Sequence, residues 1–260
     1  MPLTFDMPLE ELHNYLLNKA LHPTTIPPTL EELLIEYAIA REALRLTMAQ
    51  ARTGWPPQPS TGQPDIRWNM VLGAGRTLTH ALHRHHAAMI MLDALEPWGV
   101  TTLALDQHHL LNMLGAIAIA QPIAAVELTA RNFLLNLGTV VAPIGYSSRG
   151  QTALSLKIEF ANGNLHEMDI PYGEIQVVDL PPDQKASLEI QPARHLDIGV
   201  GQPGRSAVAE VEGGVLGLII DARGRPLRLP RNDEQRQQLL VQWANSLASP
   251  IQFTMPTMDG

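Results

Sequence analysis

The sequence predicts a chain in three parts: an α/β subdomain over residues 1–130, a small β-sandwich or barrel over 131–230, and a closing helix with a loose tail over 231–260. Three observations carry this. Residues 66–78 read as an apolar strand that ends in Gly73-Ala74-Gly75 and runs on into helical spacing. They lie within a strand–helix–strand–helix succession, the grammar of parallel strands. Leu154, Leu156, Ile158 and Phe160 alternate with Ser155, Lys157 and Glu159, the period of a half-buried strand, and more short strands follow. Leu239, Leu240, Trp243 and Leu247 then return to helical spacing.

The elements follow in order. Asp6 can cap a first helix whose Leu9, Leu12 and Leu16 share a face, and Pro23 stops it. Thr29 and Glu32 form a capping box ahead of a long amphipathic helix with Leu30, Leu33, Leu34, Tyr37, Leu44 and Met48 on its stripe. Residues 54–64, rich in Pro, Gly, Gln and Ser, read as a surface loop. A central strand and the glycine turn come next, then a turn and helix over 79–95 that Pro97 and Gly99 end. A strand over 101–106 precedes a helix marked by Leu110, Leu111, Leu114 and Ile117 and closed by Pro122.

In the β-part, strands are expected at 139–146, 154–160, 165–170, 174–180, 186–191, 207–212 and 215–221, with Asn162-Gly163 as a two-residue hairpin turn. Asn232 and Gln235 make a second capping box.

Composition narrows the function. Twenty-six acidic residues against 18 basic ones give a net charge of −8, which disfavours nucleic acid and anionic membranes as partners. No cysteine is present, so disulfides and thiolate chemistry are excluded. No apolar run reaches bilayer-spanning length, and residues 1–12 lack the pattern of a signal peptide, so a cytoplasmic protein is expected.

No catalytic or metal constellation emerges. His80, His83, His85 and His86 crowd one segment, and His108-His109 follow, but neither His-Glu-x-x-His nor a relative of it occurs. They read as a solvated, partly cationic helix start. Gly-x-Ser-x-Gly and the Walker A pattern are both missing. The segment Asp221-Ala222-Arg223-Gly224-Arg225 reads as a turn exposing two guanidinium groups: a plain hairpin tip, or a contact for a carboxylate, a phosphate or an acidic partner surface. The glycine turn admits two readings, a packing turn or a loop that a ligand approaches closely.

Several stretches taken together resemble one family. They are Val71-Leu-Gly-Ala-Gly-Arg-Thr-Leu-Thr79, Leu92-Asp-Ala-Leu-Glu-Pro-Trp-Gly-Val-Thr101, Leu105-Asp106, Met113-Leu-Gly-Ala116, Leu137-Gly-Thr-Val-Val-Ala-Pro-Ile-Gly145, and the run from Glu212 to Pro230. In this order they resemble the C-terminal half of the glutamate mutase L family, also labelled MutL, from about Ile35 to Trp243. This is an accessory family found with adenosylcobalamin-dependent glutamate mutase, unrelated to the mismatch-repair protein of the same label.

That family is similar to the actin, sugar kinase and Hsp70 group of ATPases. The resemblance implies a partial actin-like ATPase subdomain in which Gly73, Ala74 and Gly75 contact a nucleotide, ATP or ADP with Mg²⁺. Such ATPases also need two phosphate-binding hairpins with Asp-x-Gly, and Asp-x-Gly does not occur between Met1 and Gly75. The expectation is therefore a non-catalytic interaction or chaperone-type module. Asp221, Arg223 and Arg225 would contact its protein partner, either the missing ATPase half or a cobalamin-dependent mutase. The alternative is half of an ATPase whose phosphate loops come from a separate chain. A half-protein should also expose apolar surface on its α/β part.

Overall fold

The structure is a computed structural model that describes residues 7–55, 66–129 and 133–252. The helices are α1 (Leu9–Leu21), α2 (Leu30–Arg52), α3 (Arg76–Thr79), α4 (Arg84–Leu95), α5 (Leu111–Ala120), α6 (Pro122–Thr129) and α7 (Asp233–Ala248). The strands are β1 (Met70–Gly73), β2 (Gly99–Leu105), β3 (Leu135–Ala142), β4 (Ile144–Gly145), β5 (Thr152–Phe160), β6 (Leu165–Pro171), β7 (Ile175–Val178), β8 (Lys185–Pro192), β9 (Leu196–Asp197), β10 (Ala207–Glu212) and β11 (Leu218–Asp221).

They stack in three layers. A five-stranded sheet of order β1-β2-β3-β11-β7 lies between a layer of helices and a four-stranded antiparallel sheet of order β10-β8-β5-β6. The pleat explains why one sheet serves two cores, since successive side chains point to opposite faces. Ile219 of β11, Val140 of β3 and Val177 of β7 face the helices α2, α4 and α7. Their neighbours Leu218, Ile220, Val141 and Val178 face Leu154, Leu156 and Ile158 of β5 and Leu188 and Ile190 of β8. Along β5 the expected alternation holds residue by residue: Leu154, Leu156 and Ile158 are buried, and Ser155, Lys157 and Glu159 are exposed.

The boundary expected near residue 130 does not separate two sheets. Three strands from beyond it, β3, β11 and β7, complete the sheet that β1 and β2 begin. β1 and β2 are parallel as expected, but β1 is an edge strand and not a central one. β3 pairs antiparallel with β2, β11 parallel with β3, and β7 antiparallel with β11.

The helices differ in how much they bury. In α4 every residue from His86 to Ala94 is buried, because α2, α7 and the sheet surround it. In α2 the stripe is Leu34, Ile35 and Tyr37, and Leu30 is exposed. α1 buries no residue. It is held to α2 through Glu36, which accepts from Tyr15 Oη at 3.1 Å and pairs with Lys19 Nζ at 2.5 Å, so Leu9 and Leu16 stay exposed.

The N-cap half of each expected capping box forms. Thr29 Oγ1 accepts from Glu32 N at 3.2 Å, and Asn232 Oδ1 from Gln235 N at 2.9 Å. The β5–β6 loop is longer than two residues. Phe160 N donates to Asn164 O, and Gly163 takes φ +82°, the conformation that closes a three-residue hairpin. The start of the expected tail is not loose: Ile251 N donates to Val177 O at 2.7 Å, and Ile251 O accepts from Asp179 N at 3.0 Å. Asp6, residues 253–260 and most of the Pro-rich loop lie outside the described residues.

Candidate functional site

The glycine turn stands at the carboxyl end of β1, beside the carboxyl end of its parallel neighbour β2. Asp106 N donates to Gly73 O at 2.9 Å, which fixes the two loops side by side. The two glycines have different reasons. A Cβ on Gly73 would lie 2.7 Å from Leu105 Cδ2 and 3.1 Å from Leu78 Cδ1 and Met91 Sδ, so close packing against its own core requires glycine there. A Cβ on Gly75 would meet nothing within 4 Å, but its φ of +91° excludes most side chains.

Ala74, Gly75 and Arg76 are exposed. Gly75 caps α3, and its carbonyl accepts from the amides of Leu78 and Thr79 and from Thr79 Oγ1. Across the gap, the buried Asp106 carboxylate accepts from Leu110 N at 2.9 Å and Leu111 N at 3.1 Å, closing the first turn of α5. The imidazoles of His80 and His109 stack with centroids 6.0 Å apart, one from each loop. The result is an open rim of backbone at the ends of parallel strands, the place where α/β sheets admit ligands.

The second predicted site is corrected. Asp221, Arg223 and Arg225 are 0%, 4% and 2% exposed, so the turn presents no guanidinium to solvent. Arg223 Nη1 donates to Asp93 Oδ1 at 2.6 Å, and its Nε and Nη2 fork onto the two oxygens of Asp221 at 2.9 and 2.8 Å. Arg225 Nη2 donates to Asp221 Oδ2 at 2.5 Å and its Nε to Pro97 O at 3.2 Å. Arg41 lies 3.5 Å from the other oxygen of Asp93. The Arg223 guanidinium also sits 4.8 Å from the Trp243 ring centroid. Burial alone would raise the Asp221 carboxyl, but Arg223 and Arg225 outweigh it and hold the group well below the usual carboxylate range.

The physical reason for the correction is pairing. Asp221 next to them takes up both guanidinium groups, and the second acid that buries Arg223 is distant in sequence. Asp93 stands 130 residues before Arg223, and only the fold brings it there. The signal was available in outline, because Asp93 and Arg223 belong to two of the segments that carry the family resemblance. The same two segments meet again where Glu96 Oε2 accepts from Leu227 N at 3.0 Å.

The histidines are not uniformly solvated. His83 is exposed and His85 half-buried, but His86 is buried against Tyr37, with ring centroids 5.3 Å apart. Burial and the neighbouring rings of His85 and His83 pull it down to about 4. Among the described residues, no group of three or more histidines and carboxylates is placed to hold a metal ion. None of the described helices is long and apolar enough to cross a membrane.

These features define a mixed α/β protein with several sheets, a C-terminal helix and a glycine turn open at the ends of two parallel strands. The chain belongs to the MutL protein family, whose sequence model matches residues 4–133. No curated protein and no solved structure matches it.

Proposed function

We propose that this chain is a non-catalytic interaction or chaperone-type module that works beside an adenosylcobalamin-dependent mutase. Membership of the MutL family is the observation that carries this reading. The layer from α2 to β2 is read as the adenosine side of an actin-like ATPase subdomain, with Gly73, Ala74 and Gly75 facing ATP or ADP with Mg²⁺. The open tip at Gly75 supports that reading, because a nucleotide needs close backbone approach and nothing of the described chain crowds the position.

The same open tip favours one alternative: a separate chain brings the phosphate-binding loops and the two together form an ATPase. Calorimetric titration with ATP and with ADP, each with Mg²⁺, tests the turn. Micromolar binding that Gly75→Asp abolishes assigns an adenosine site. A folded chain that gives no heat removes the nucleotide and leaves the interaction role.

A further inference from the structure

Between β2 and β3 the chain makes a helical hairpin, α5 and α6, joined at Gln121-Pro122. It is apolar almost throughout, and it holds no Asp, Glu, Lys or Arg from Gln107 to Val126. A helix that is apolar on every side belongs in an interior. Here the reverse holds. Ile119 is 89% exposed, Ile123 76% and Met113 62%. The buried members, Leu114 and Ala125, belong to neither core of the protein. A Cβ on Gly115 would meet nothing within 4 Å, so the outer side of α5 is open to a close neighbour.

We infer that this hairpin is covered by the same hairpin of a second copy, the two pairs of helices closing as a four-helix bundle about a two-fold axis. The charge pattern selects this occupant. Two chains of net charge −8 repel wherever their acids face each other, and residues 107–126 bring none, the hairpin's one carboxylate being the exposed Glu127 near the end of α6. An uncharged apolar surface is its own complement, as a two-fold interface requires.

The size agrees. Met113, Ile119, Ile123, Val126 and Leu128 stand 41–89% exposed, five large apolar side chains toward the roughly 800 Å² that each partner gives a stable interface. A lipid surface fits less well. α5 is only about 15 Å long, half the hydrocarbon thickness, and the hairpin carries no basic side chain for a headgroup. The inference does not rest on the mutase reading.

Sedimentation equilibrium of the full chain between about 1 and 100 µM decides it, run beside the double variant Ile119→Glu/Ile123→Lys. Both positions are exposed, so the variant should keep the wild-type circular dichroism and melting temperature. The expected result is twice the chain's mass for wild type and the single mass for the variant, a loss of at least 100-fold in affinity. A wild-type monomer across the range overturns the inference, as does a variant that dimerises like wild type. A lone chain that binds a mutase would overturn it too while leaving the proposed function intact.

Discussion

The guanidinium of Arg223 and the carboxylate of Asp93 meet 2.6 Å apart although 130 residues separate them in the chain. That contact ties the end of β11 to α4, the helix enclosed by α2, α7 and the five-stranded sheet. Asp221, Arg225 and Trp243 extend it, so β11, α4 and α7 share one buried polar knot. Nothing in it faces solvent, and its first consequence is for stability.

Arg223→Met should therefore destabilise the protein by about 3–5 kcal/mol in urea unfolding, because Asp93 and Asp221 would be left buried without their fork. The exposed pair Glu42–Arg45 has the same 2.6 Å separation. Arg45→Met should cost less than about 1 kcal/mol, because water already solvates and screens that pair. Equal losses in the two variants would contradict the assignment of Arg223 as a buried tie.

Acid should unfold the protein in two windows. His86 has a folded value near 4, below its ordinary 6.5. Its neutral form contributes stability that is complete above about pH 6.5 and is lost as pH falls through 4. Asp221 is depressed below its ordinary 3.8, so its share is complete above that pH and disappears only below it. Urea midpoints measured from pH 8 to pH 3 should fall in both ranges. His86→Leu should flatten the upper one and spare the lower.

The two glycines of the turn should resist alanine for different reasons. Gly73→Ala overpacks against Leu105, Leu78 and Met91 and should cost about 1–3 kcal/mol. Gly75→Ala meets no atom but must hold φ +91° and ψ 152°, backbone kept essentially to glycine, so its cost of about 1–3 kcal/mol comes from strain and not from overpacking. Thermal unfolding reads both losses, and a Gly73→Ala protein as stable as wild type would refute the packing reading.

Much of the architecture was legible because it is local. Alternation along residues 154–160 needs only neighbouring side chains, and the caps at Thr29 and Asn232 need only three residues. What the sequence hid is long-range. β1 reads like a central strand because Val71 and Leu72 are apolar, yet nothing in its own residues states that the sheet continues on one side only. Arg223 reads as exposed because its second counter-charge, Asp93, lies in another segment, and Arg225 because nothing local shows that Asp221 turns inward. His86 differs from His83 and His85 only in facing Tyr37, a placement set by how α2 docks on α4. The glycine turn was visible as a motif, but its separation into a packing glycine and an open one required the neighbours of each.

The proposed role requires that this MutL family member bind a cobalamin-dependent mutase. Sedimentation velocity of the chain mixed with an adenosylcobalamin-dependent glutamate mutase from the same source, each near 10 µM, tests it most directly. The expected result is a faster-sedimenting complex that contains both proteins and survives dilution to about 1 µM. Two boundaries that sediment as they do alone, with both proteins folded, would contradict it.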